Sequence, residues 1–117
     1  MAVLQTGRDE IISRIGSGLT GVEISGINIG TDSTAVSDSD TGLIAELARS
    51  TGNTATQTGD QMELVASFTG VTGTVREAGM YTDDTDDTQI SRQVVDAVNL
   101  ESSDSLEVTF QLNAQDV

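Results

Sequence analysis

The chain has 117 residues, with nineteen acids against five arginines and no lysine, for a formal net charge of -14 and a pI near 4.1. Cysteine and histidine are absent as well, which excludes disulfides and thiolate or imidazole metal sites. Nucleic-acid binding lacks the clustered Lys or Arg that phosphate neutralisation needs, because the arginines are scattered.

The length suits one domain with a modest core. With 36% hydrophobic and 3% aromatic residues, that core rests on Val, Ile, Leu and Ala, with Phe68, Phe110 and Tyr81 as its few large pieces. So small a core favours a homo-oligomer or a stabilising environment. A chain this acidic repels itself at low ionic strength, and about 1 M salt shortens the Debye length to about 3 Å. The composition therefore fits a protein made for concentrated salt.

In chain order, residues 1–18 read as a helical arm and residues 19–117 as a β-domain. Ile11, Ile12, Ile15 and Leu19 recur at helical spacing behind a Thr6 cap and an acidic first turn of Asp9 and Glu10, and Gly16 or Gly18 ends the helix. Met1 to Gly21 lacks the basic and apolar regions of a signal peptide, and no window approaches the roughly 18 apolar residues of a membrane span. The expectation is a soluble chain made in the cytoplasm, without membrane insertion.

Val22 to Ile29 alternates on either side of Ser25-Gly26, as a strand with a bulge does. Gly30 to Asp40 is a polar loop. Gly42 to Arg49 contains good helix formers after an Asp40 or Thr41 cap, which predicts a helical turn near 42–49. Ser50 to Asp60 reads as a loop or a solvated edge. Met62, Leu64, Ala66 and Phe68 alternate, and so do Leu106, Val108, Phe110 and Leu112; Ile90 to Leu100 is ambiguous in period, but its β-branched content favours a strand. Between them lies Gly73 to Tyr81, a strand in which Arg76, Glu77 and Gly79 interrupt the apolar set, and the centre around which the fold is organised. The architecture expected is mainly β: a small antiparallel, jelly-roll-like sandwich with a short N-terminal helix.

Chemistry is scarce. Asp40-Thr41-Gly42 spells the aspartic-protease tripeptide but lacks the apolar strand that brings two carboxylates together. Asp38, Asp40 and Gly42 begin a calcium-loop pattern that fails at Arg49, where a bidentate acid is needed. Asp83, Asp84, Asp86 and Asp87 are the candidate ligands for calcium or another hard cation, against the blander reading of a solvated hairpin tip. Arg76, Glu77, Arg49 and Arg92 are expected to form structural ion pairs, because a buried Glu77 needs a partner. No histidine or lysine is present to activate a Ser or Thr, so the chain reads as a non-enzyme without an organic cofactor.

Ile24-Ser25-Gly26-Ile27-Asn28-Ile29-Gly30-Thr31, then Thr34-Ala35, then Asp40-Thr41-Gly42-Leu43-Ile44-Ala45-Glu46-Leu47-Ala48-Arg49 resembles a pattern in small structural proteins of tailed viruses. Ala66-Ser67-Phe68, Val75-Arg76-Glu77-Ala78-Gly79-Met80-Tyr81, the 83–87 acidic tip, Ile90-Ser91-Arg92 and Leu106-Glu107-Val108-Thr109-Phe110 continue it in order. The lysine-free composition and Asp32, where the pattern often has Gly, depart from it in a way that suits a virus of a halophilic archaeon. The resemblance spans roughly residues 19 to 112. It implies a β-sandwich in the virion: a capsid turret or decoration protein, or a tail, tail-fibre or collar subunit. Its partners would be itself and the major capsid or tail proteins, with host-surface contact as a further role. The alternative expectation is a carbohydrate- or receptor-binding module, calcium-dependent through the 83–87 tip.

Overall fold

In the computed structural model, residues 3–17, 24–82 and 88–114 are described, the side chains of 12–17 excepted. Helix α1 (Gln5–Ser17) precedes seven strands: β1 (Ile24–Gly30), β2 (Glu46–Ser50), β3 (Ala55–Thr58), β4 (Gln61–Thr69), β5 (Gly73–Thr82), β6 (Gln89–Leu100) and β7 (Ser105–Asn113). They form two antiparallel sheets, β2-β1-β5-β6 and β3-β4-β7, so the fold is the mainly β sandwich that the alternating runs predict.

The smaller sheet follows directly from its sequence pattern. Leu64 pairs with Phe110, Ala66 with Val108 and Phe68 with Leu106, so each inward residue faces another inward residue, while Val65, Ser67, Thr109 and Glu107 point outward. This apolar face meets Ile27, Ile29, Val75, Ala78 and Met80 of the larger sheet in one core cluster.

The larger sheet is covered on both faces. From Ser25 to Gly30 every residue of β1 is buried, although only alternate ones reach the apolar core. Its second face lies under the 31–45 segment and the start of α1. Val3 bridges Ser91, the Leu4 N–H donates to the Ile90 carbonyl at 2.9 Å, and the Gln5 N–H donates to the Asp38 carbonyl at 3.1 Å.

Three local expectations need correction. The helical turn near 42–49 is absent: residues 42–45 are irregular and Glu46–Ser50 is strand β2, paired with β1. The N–H groups of Ile44 and Ala45 donate to Glu77 instead of to a helical carbonyl, a tertiary demand that overrides propensity. Thr6 is not a cap; it lies inside α1, its hydroxyl donates to the Gln89 carbonyl at 2.8 Å, and the first turn holds no acid. The helix is described to Ser17, so Gly16 does not stop it and Gly18 remains the expected stop. Ser50 to Asp60 proves to be a solvated edge, with β3 exposed at all four of its residues. The 83–87 tip lies outside the described residues.

A tight approach fixes the middle of the larger sheet. A Cβ on Gly79 would overlap the Ser91 backbone carbonyl on the neighbouring strand and the side-chain amide of Gln89, which is held by bonds to Asn28 and Ser91. Gly79→Ala is therefore expected to cost about 1–3 kcal/mol or more as overpacking, read as a lower denaturant midpoint in high salt. Gly42→Ala, with nothing within 4 Å of the added methyl, should leave the midpoint nearly unchanged.

Candidate functional site

The second face of the larger sheet is a polar layer built by period-2 alternation. On β1 it presents Gly26, Asn28 and Gly30; on β5 the residues directly across are Tyr81, Gly79 and Glu77. Each large side chain faces a small one. Tyr81 lies over Gly26, the amide of Asn28 occupies space left by Gly79, and the Glu77 carboxylate sits where a side chain on Gly30 would be.

Glu77 is the hub. Its carboxylate is fully buried and accepts four hydrogen bonds: Arg92 Nε at 2.8 Å and the backbone N–H groups of Ile44 at 2.9 Å, Ala45 at 2.8 Å and Asp32 at 3.1 Å. Two donors reach each oxygen, which uses the acceptor sites a carboxylate offers. Burial pushes the Glu77 carboxyl pKa up, but the Arg92 bond and the amides of Ala45, Ile44 and Asp32 outweigh it and hold the group below its ordinary value of 4.5.

Arg92 is equally buried and spends its other nitrogens on the same segment. Nη2 donates to the Thr34 carbonyl at 2.9 Å and lies 3.7 Å from Asp32 Oδ1, and Nη1 donates to Asp40 Oδ2 at 3.3 Å. Hydrogen bonds from Thr34 lower the Asp32 pKa, and the charge of Arg92 adds to them. Asp40, the acid of the protease-like tripeptide, also accepts the Ser37 N–H at 3.0 Å, so it closes a turn and pairs with a guanidinium. Asp38 pairs with Arg8 at 2.7 Å on the surface. Both carboxylates are taken up by guanidinium groups, and among the described residues no group of three acids could hold a metal ion.

Sheetwise, the layer continues from the hub. Asn28 and Gln89 exchange reciprocal amide hydrogen bonds at 2.9 and 3.0 Å, and Asn28 Nδ2 also donates to Glu46 at 2.8 Å. Glu46 holds Arg49 through two bonds at 2.8 and 3.0 Å, and the Arg49 guanidinium stands 4.5 Å from the centre of the Tyr81 ring. The Tyr81 hydroxyl donates to the Ser50 carbonyl at 3.2 Å. Among the described residues, no buried side-chain polar atom lacks a partner.

The structure thus brings Glu77 and Arg92 together and gives Arg49 a different acid, Glu46. Arg76 is a correction: it is half-buried, opposite the irregularity where Val75 pairs with Val98 but Glu77 with Val94, and it makes no ion pair among the described residues. Asp83, Asp84, Asp86 and Asp87 lie outside the described residues. Asn28, Gln89 and Glu46 were not singled out from the sequence, although the Gly26-x-Asn28-x-Gly30 alternation is a legible sign that β1 has a second packed face.

A groove of about 540 Å³ opens at the end of β1, lined by Ser25, Asn53, Thr54, Gln57 and Met62 among others, with no acid or base among the described residues of its wall. No helix among the described residues is long and apolar enough to cross a membrane. No protein-family model, curated protein or solved structure matches the chain.

Removing the hub charge should be severe. Glu77→Gln leaves Arg92 buried beside a neutral amide and turns one acceptor oxygen into a donor facing donors, so a loss of about 3–5 kcal/mol is expected in denaturant titration. Asp40, whose side chain is only 17% exposed, keeps a neutral acceptor for Arg92 as Asn, so Asp40→Asn should lose less than Glu77→Gln, about 1–3 kcal/mol. Because the folded-state pKa of Glu77 is lowered, its contribution is complete above the unfolded value near 4.5 and disappears as pH falls through the folded value. The stability gap between wild type and Glu77→Gln should therefore shrink below that pH, and a constant gap down to strong acid would contradict the assignment.

Proposed function

We propose that the chain is a non-enzymatic assembly subunit: a homo-oligomeric structural protein of the virion of a halophilic tailed virus, at a capsid turret, a decoration site, or the tail or collar. The observation that carries the non-enzymatic part is the saturation of Glu77 and Arg92. The most elaborate polar constellation among the described residues is closed to solvent and spends its hydrogen bonds on attaching the 31–45 segment to the sheet. Catalysis requires a group able to reach substrate, and these two are fully occupied and buried. The virion and its halophilic host are supported by the ordered resemblance of residues 19–112 and by the lysine-free, strongly acidic composition.

A sugar-binding role is the weaker reading. Its stacking platform would have to be aromatic, and Phe68, Phe110 and Tyr81 are all buried.

Sedimentation in about 1 M salt or higher, where the Debye length is about 3 Å, is expected to show an oligomer whose population rises with protein concentration. Monomer alone at the highest concentrations would overturn the homo-oligomeric subunit. Dilution to about 0.01 M salt, with a Debye length of about 30 Å, should lower the unfolding midpoint. A midpoint independent of salt would remove the halophilic part of the proposal.

A further inference from the structure

We propose that the outer edge of β7 pairs antiparallel with the same edge of a second copy of this chain, about a two-fold axis at Thr109, joining two three-stranded sheets into one of six strands. This rests on the homo-oligomeric reading above and names the surface through which the copies meet.

The outer strands of the two sheets are β2, β6, β3 and β7, and the first three are poor templates. β2 carries a bulge against β1 and the charged pair Glu46 and Arg49. The pairing of β6 with β5 shifts between Val75, opposite Val98, and Glu77, opposite Val94, and β3 has only four residues. β7 has none of these defects. Its nine residues pair with β4 one for one without a shift, and among the described residues no backbone pairs with its other side. At about 3.4 Å per residue that side offers roughly 30 Å of open N–H and C=O groups, in a strand with no proline and a single charge, Glu107.

The strand is complementary to itself. A two-fold through a residue sets inward side chains opposite inward ones, whereas a two-fold between residues would set them against outward ones. Thr109 is the midpoint of Ser105–Asn113, so an axis there engages the whole strand. Leu106 then stands opposite the partner's Leu112 and Val108 opposite the partner's Phe110 on the inner face, while Thr109 meets the partner's Thr109 on the outer one, a pairing that cross-strand hydroxyls favour. Glu107 faces the partner's Gln111, and of the two N–H groups on this amide one already serves Glu63 at 3.3 Å within its own chain. The two copies of Glu107 stay roughly 14 Å apart along the ladder, well beyond the Debye length of about 3 Å in about 1 M salt. The pairing therefore rests on shape and backbone hydrogen bonds, which salt does not screen.

Apolar surface lies where this contact needs it. Leu106 and Val108 belong to the inner face but are only half-buried. A groove of about 400 Å³ runs between β6 and β7, lined by Ala78, Val95, Val108 and Phe110 among others, with no charged residue among the described ones of its wall. Val98 on β6 is a large apolar side chain left 39% exposed. A second β7 would close this side of the sandwich and remove Leu106 and Val108 from water.

The chain has no cysteine, so single introduced thiols report on the axis. Thr109→Cys and Gln111→Cys both change exposed residues on the outer face of β7. In the pairing proposed, the two 109 positions lie about 5 Å apart, within disulfide reach, and the two 111 positions roughly 14 Å apart, outside it. In about 1 M salt, at concentrations where sedimentation detects the oligomer, Thr109→Cys is expected to oxidise to a covalent dimer at least about tenfold faster than Gln111→Cys. In the unsubstituted chain, exchange of the β7 amides not bonded to β4 should slow as concentration rises, while that of the β2 edge stays unchanged. An oligomer in which the two variants oxidise equally, or in which those β7 amides gain no protection, overturns the β7 interface and leaves the homo-oligomeric reading standing. Monomer alone at every concentration overturns both.

Discussion

A carboxylate without water must be given donors by the protein, and the fold of this chain turns on how Glu77 obtains its four. Taking such a group out of water costs several kcal/mol even after relaxation, and one arginine does not supply enough hydrogen bonds to compensate it. The remaining donors come from Asp32, Ile44 and Ala45, so the chain between β1 and β2 has to lie down on the sheet at both of its ends. Arg92 fastens the middle through Thr34 and Asp40. A segment of Thr, Ser, Asp and Ala, with little apolar surface of its own, is thereby ordered by electrostatics.

The same constraint explains the glycines. A sheet with few aromatics cannot fill a second layer with bulk, and this one alternates large and small residues across a single pair of strands: Tyr81 over Gly26, Asn28 over Gly79, Glu77 over Gly30. The result is a second, polar core in a chain whose apolar core is modest. Its members are mutually hydrogen-bonded, and in a low-dielectric layer each satisfied bond strengthens the others, while a single missing partner leaves a buried group exposed to the full desolvation cost.

With Glu77 occupied, no other acid among the described residues is buried. In concentrated salt an acidic surface is screened and remains well hydrated; in dilute buffer it works against the compact state. An assembly subunit of the kind proposed would work through edges, termini and loops around such an interior. This division suits an assembly subunit better than a catalyst, because an assembly subunit needs a fixed shape and selective borders.

Much of the fold was legible. Alternation in Met62 to Phe68 and in Leu106 to Leu112 determined the smaller sheet, because a strand with one wet face writes its burial into every second residue. Ser25-Gly26 marked a bulge, and the register does shift there. The need of a buried Glu77 for a cationic partner was also readable, but which arginine would meet it was not: Arg76 stands beside it in sequence, yet the partner comes from the neighbouring strand β6. Tertiary structure alone turned the helix-forming run at 42–49 into an irregular approach and strand β2, since the amides a helix would have used were claimed by a carboxylate thirty-odd residues away. By itself the sequence determined composition, alternation and a charge that must be hidden, all of them local properties. Which donors would hide that charge was a matter of three-dimensional proximity, and only the packed sheet decided it.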